Sequence, residues 1–168
     1  MQRQELVNSQ PVDSEVIIET RELSRVYPGV VALDNVNYRV YRNKVNVLIG
    51  ENGAGKSTMM KMLAGVETPS SGQIILDGAP VTLSSTHQAE KQGISIIFQE
   101  LNLFPNMNVM DNIFMANEFF QKGKINEKYQ YELAKSLLER LELDVDPYTQ
   151  LGELGIGHQQ LVEIARAL

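Results

Sequence analysis

No cysteine occurs in the 168 residues, and basic side chains are the minority: 15 Lys and Arg stand against 21 Asp and Glu, for a net charge of −6. Without cysteine there is neither a disulfide framework nor a thiolate zinc site, and the composition fits a reducing compartment. The acidic balance argues against nucleic acid as a partner, because phosphate backbones select basic surfaces. A small phosphorylated ligand is still admissible, since local backbone dipoles can hold one without net positive charge. No run approaches the ~18 consecutive apolar residues of a membrane-spanning helix, so no span of the chain's own is expected. The opening Met1–Gln10 lacks an apolar signal core, which argues against ordinary secretion. Internal repeats and low-complexity tracts are absent too. The two histidines, His87 and His158, have no neighbours that would make a metal site.

What is present suffices for one domain: 43% of the residues are apolar, enough for a core at this length. The first 14 residues are polar around Pro11 and read as a flexible N-terminal arm. Val16–Thr20 and Leu23–Tyr27 are β-rich runs closed by a Pro28-Gly29 turn, and residues 36–41 alternate Val36, Tyr38 and Val40 with polar neighbours, as a half-buried strand does. Val45–Ile49 is mostly apolar and predicts a strand buried on both faces. Lys56–Ala64 predicts a helix closed by Gly65. A strand over 73–76, an Asp77-Gly78 turn, a short helix over 84–92 and a strand over 94–98 follow. From Val109 the character turns helical. Leu133, Ala134, Leu137, Leu138 and Leu141 share one helix face, and a last helix is expected from near Gln159 to Leu168.

The chemistry concentrates between the Val45–Ile49 run and the first helix. Gly50-Glu51-Asn52-Gly53-Ala54-Gly55-Lys56-Ser57 matches G-x-x-x-x-G-K-[ST]. Glycines let successive N–H groups turn inward as an anion nest, and the helix starting at Lys56 adds its positive N-terminal end. Lys56 can reach terminal phosphates as a point charge, and the Ser57 hydroxyl can ligate Mg²⁺. Chance produces four such fixed positions in roughly 1% of chains this long or fewer, and a strand before and a helix after reduce that further. A nucleoside triphosphate with Mg²⁺ is the ligand this pattern predicts.

Gly50–Thr58 resembles the phosphate loop of ABC transporter ATPases, and the likeness continues from Val16 to Leu168. Ile96-Ile-Phe-Gln99-Glu-Leu-Asn-Leu-Phe-Pro105 resembles their Q-loop. Leu154-Gly155-Ile-Gly157-His-Gln159-Gln, followed by Leu-Val-Glu-Ile-Ala-Arg-Ala-Leu168, resembles their signature motif and its helix. Within the family, the chain is most similar to the first ATPase domain of bacterial sugar importers of the ribose and galactoside type. The resemblance implies that Gly50 to Thr58 (Gly50, Glu51, Asn52, Gly53, Ala54, Gly55, Lys56, Ser57 and Thr58) hold the phosphates of ATP. It places Tyr27 against the adenine, and Ser57 and Gln99 on Mg²⁺. Gly155, Gly157 and Gln159 would close over the ATP of a second ATPase subunit. Lys56 and Gln99 carry the catalytic roles this chain retains. One departure stands out: Gly155 replaces the usual serine whose hydroxyl contacts the partner's γ-phosphate, at a cost of about 0.5–1.5 kcal/mol.

The fold expected is α/β: a P-loop core with an antiparallel β subdomain in front and a helical subdomain inserted after Gln99, over about 101–150, within a partial ATPase domain spanning 15–168. Phe114, Met115, Phe119 and Phe120 of that subdomain either face transmembrane permease subunits or, for most of them, fill its own core. Family members follow the signature helix with an apolar strand ending Asp-Glu, and no such pattern follows the loop here. The expectation is therefore an importer ATPase truncated after the signature helix, lacking the water-positioning group, deficient in turnover and marginally folded alone. It implies a dimeric, cytoplasmic protein peripheral on the inner face of the cell membrane, with carbohydrate as the transported class. The alternative readings are a non-hydrolytic nucleotide-binding remnant and, more remotely, a soluble P-loop kinase.

Overall fold

The computed structural model describes residues 15–168, so the arm read over the first 14 residues lies outside the described residues. The chain divides into two compact units, one ending at Ile94 and one running Ser95–Leu168.

In the first unit, β1 (Val16–Tyr27) and β2 (Val30–Tyr41) form a long hairpin around Pro28-Gly29, with Gly29 at φ +80°. The two β-rich runs expected before the turn are one strand with a bulge between them. Glu22 takes a left-handed conformation there (φ 49°), and its N–H donates to Asn37 Oδ1 at 2.9 Å. Next to the bulge, the buried Thr20 hydroxyl donates to Val36 O at 3.0 Å and accepts from Tyr38 N at 2.9 Å, repairing the ladder through a side chain. β3 (Ser71–Leu76) and β4 (Ala79–Val81) complete an antiparallel sheet of order β2-β1-β3-β4, turning at Asp77-Gly78 with both φ angles positive. On its surface Glu19 accepts from Arg21 and Arg39. The Arg21 hydrogen bond holds its carboxyl below the ordinary range, against the opposing effect of partial burial and with Arg39 assisting.

The helix α1 (Lys56–Leu63) buries Met59, Met62 and Leu63 against Leu23, Leu33 and Ile74. Each such side chain stabilises by about 1.5–3 kcal/mol when fully buried. Gly65 (φ +69°) closes the helix as expected, and α2 (Thr86–Lys91) starts at Ser85, whose side chain accepts from Gln88 N.

Two expected strands do not form. Val45–Ile49 enters no ladder, and Val45 and Ile49 are 93% and 87% exposed instead of buried. Residues 94–98 also run without regular pairing, with Ile97 and Phe98 exposed. Apolar patterning says that a segment suits a sheet interior. A ladder also needs a neighbour whose N–H and C=O groups are free, and among the described residues neither run is paired with one.

The second unit packs α3 (Val109–Phe114), α4 (Glu127–Arg140) and α5 (Ile156–Ala167) around Val109, Ile113, Leu138, Leu151 and Val162. The helix face anticipated in α4 is correct: Ala134, Leu137 and Leu138 are buried, with Leu133 and Leu141 at the margin. Asn108 and Asn126 cap α3 and α4 through their side chains. A short hairpin unforeseen in the sequence, β5 (Phe120–Gln121) with β6 (Lys124–Ile125), turns at Lys122-Gly123. The last helix begins at Ile156, three residues before the expected start.

Candidate functional site

The phosphate-loop pattern forms a real loop. Gly53 and Gly55 both adopt positive φ (85° and 82°), and Ala54 N donates to Glu51 O at 3.2 Å, so the chain coils tightly before α1. Gly55 is indispensable to this path. A Cβ there would lie 2.4 Å from the Ala32 carbonyl oxygen and 2.6 Å from Leu33 Cδ2, so the loop sits directly on β2. Gly55 is also the N-cap of α1 and offers no side chain to the first turn, which leaves the helix's leading N–H groups for another acceptor. Lys56 curls back, its Nζ donating to Gly50 O at 2.6 Å and Glu51 O at 2.7 Å. Glu51, Asn52, Gly53, Ala54 and Ser57 are exposed, while Lys56 and Thr58 are half-buried. The result is a tight exposed loop that brings backbone N–H groups, the Lys56 ammonium and the Ser57 hydroxyl together at the start of α1.

Tyr27 ends β1 in the same unit, across the hairpin turn from Val30. Its hydroxyl donates to Glu67, and the Arg25 guanidinium lies over its ring, 4.8 Å from the centroid. Arg25 also donates to Thr68 O at 2.7 Å, and its Nε lies 3.4 Å from Glu67 Oε2. Sequence reasoning singled out Tyr27 but missed Arg25 and Glu67. No periodicity or motif marks a residue 40 positions away as a neighbour of Tyr27.

In the second unit Gln99 is exposed on a bend. The segment after it is firmly held: fully buried Asn112 accepts from Phe104 N at 2.7 Å and donates to Phe104 O at 3.0 Å and Asn108 O at 2.9 Å. Gly152 N donates to Pro105 O, and Leu151 N to Met107 O, both at 2.9 Å, which ties this segment to the turn before α5. At that helix start Gly155 is the N-cap, with φ −63° and ψ 154° and no side-chain cap. A Cβ on Gly155 or on Gly157 would meet nothing within 4 Å. Gln159, unlike the two glycines, has its amide engaged internally, donating to Leu154 O at 2.8 Å. His87 and His158 are exposed, and among the described residues no cluster of His, Asp and Glu could hold a metal ion. Of the aromatic group in this unit, Phe114 is buried and Met115 half-buried, whereas Phe119 and Phe120 are exposed; Phe119 sits edge-on between Phe114 and Tyr129.

A family model described as ABC transporter matches residues 33–168. Among curated relatives, the chain is 48% identical over 157 residues to the xylose import ATP-binding protein XylG of Thermoanaerobacter pseudethanolicus, covering 92% of this chain and 31% of the relative. To the L-arabinose transport ATP-binding protein AraG of Geobacillus stearothermophilus it is 46% identical, again over 92% of this chain and 31% of the relative. The chain thus spans about a third of the length of the curated relatives it matches. Among solved structures, the ADP conformation of an ATP-binding cassette of an ABC transporter superposes with a TM-score of 0.75 at 26% identity, covering 91% of this chain and 64% of that one.

Proposed function

Because this chain belongs to the ABC transporter family, we propose that it is the nucleotide-binding part of an ATP-driven importer whose cargo is a sugar. The observation that carries this reading is the loop at Gly50–Thr58, with its paired positive-φ glycines, its uncapped helix start and an inward-curled lysine. Relatives named for xylose and arabinose supply the cargo class.

On this reading backbone N–H groups of the loop and of the first turn of α1 bind the triphosphate. Lys56 exchanges a loop carbonyl for a phosphate oxygen, placing positive charge where negative charge accumulates. The donor set fits Mg²⁺: one exposed hydroxyl, Ser57, and no carboxylate cage suit an ion that keeps most of its ligands from phosphate and water. Ser57 would hold the ion, which when bound would neutralise charge on the phosphates. Tyr27 stacks on the adenine, and the open glycines at 155 and 157 admit the ATP of a second ATPase copy. The exposed Phe119 and Phe120 belong to the face offered to transmembrane permease subunits, at the cytoplasmic side of the membrane. Replacing Lys56 by Ala should lower ATP affinity at least tenfold by calorimetry; unchanged affinity would sink the assignment.

A further inference from the structure

We propose that Glu67 is a positioning residue for base recognition, fixing the Tyr27 ring through its hydroxyl in concert with Arg25; this rests on the reading of Tyr27 as the residue that stacks on the base. Tyr27 stands at the end of a hairpin arm between exposed Val26 and exposed Pro28, a place where a half-buried tyrosine would ordinarily sample several rotamers. Here both ends of the ring are restrained. The hydroxyl donates to the Glu67 carboxylate, and the Arg25 guanidinium occupies one ring face at 4.8 Å from the centroid. A planar base can therefore stack only on the opposite face.

The restraint is itself held in place. Arg25 is fixed by its 2.7 Å hydrogen bond to Thr68 O, and its Nε is buried without a hydrogen-bond partner, so the ionic attraction of Glu67 Oε2 at 3.4 Å offsets that burial. Lys61 Nζ approaches the other Glu67 oxygen at 3.9 Å. The carboxylate thus lies between two cations and a phenol, with its side chain only 19% exposed. Glu67 N also donates to Lys61 O at 3.3 Å, at the end of α1. The chain that leaves the helix starting at the phosphate loop therefore carries the group that orients the ring, four residues past the helix end. A fixed ring pays its ordering entropy on folding, before the nucleotide arrives, which raises affinity for the base without touching the phosphates.

The test separates base from phosphate. Binding of ATP and of inorganic tripolyphosphate to the full chain would be measured for the parent and for Glu67→Ala, Glu67→Gln, Tyr27→Phe and Tyr27→Ala. Expected are losses of about 2- to 10-fold in ATP affinity for Glu67→Ala and Tyr27→Phe, each of which removes the hydroxyl–carboxylate bond. Glu67→Gln keeps an acceptor and should stay within about twofold of the parent, and Tyr27→Ala should lose about 5- to 100-fold. Tripolyphosphate affinity should be unchanged throughout. If Tyr27→Ala weakens ATP but Glu67→Ala and Tyr27→Phe do not, the positioning role is wrong and the stacking reading survives. If Tyr27→Ala leaves ATP binding intact, the stacking reading fails and takes this inference with it. Equal losses for ATP and tripolyphosphate in Glu67→Ala would make Glu67 a structural residue and overturn the proposal, as would a Glu67→Gln variant as weak as the Ala variant.

Discussion

Among the described residues two helices begin on glycine, and the two glycines are there for opposite reasons. Gly55, before α1, has φ +82° and would drive a Cβ to 2.4 Å from a backbone oxygen of β2. Gly155, before α5, has ordinary extended geometry and open space where its Cβ would go. The first glycine is demanded by the fold around it. The second is tolerated by the fold, so any demand on it comes from whatever approaches the helix from outside. Identical residue types in equivalent helix positions therefore carry different information, and only the backbone angle and the surroundings tell them apart.

Substitution breaks or sharpens that contrast. Gly55→Ala is expected to destabilise by at least about 2 kcal/mol in denaturant unfolding. The left-handed conformation alone costs an L-residue about 1–2 kcal/mol, and the clash with Ala32 O cannot be relieved by turning a side chain. Gly157→Ala should have the opposite sign. It lies inside the first turn of α5 with no positive φ, so the gain in helix propensity should stabilise by about 0.5–1 kcal/mol. Gly155→Ser should move stability least, by a few tenths of a kcal/mol upward, because serine caps a helix slightly better than glycine. Its larger effect belongs to function: the added hydroxyl should strengthen ATP-dependent pairing of two copies, read by analytical ultracentrifugation. A Gly155→Ser variant that unfolds would mean the open space is not open, and the contrast would collapse.

Much of the first unit was legible because its signals are short-range. The Pro28-Gly29 and Asp77-Gly78 turns, the α1 stop at Gly65 and the tight glycine-rich loop before α1 are all written within a few residues, and each appears where expected. The α5 start was misplaced because its N-cap is a glycine with no side chain, and neither a capping residue nor a staple marks it. The β1 bulge was invisible for a similar reason: the Asn37 side chain that supports Glu22 lies 15 residues away. Asn112 gave no signal either. Mid-helix asparagine reads as a weak helix former, yet here it is fully buried, bonding both backbone groups of Phe104.

Taken alone, the order of residues determined the glycine-rich loop at 50–57 and the family resemblance, because each is a matter of residue types at fixed short spacing. Tertiary structure decided the rest. It joined Glu67 to Tyr27 across 40 residues, distinguished Gly55 from Gly155, and left Val45, Val47 and Ile49 exposed despite a pattern suited to a sheet interior. The physical reason is the same in all three cases: conformation within a turn is set by local sterics, whereas pairing, packing and clearance depend on which distant atoms arrive alongside.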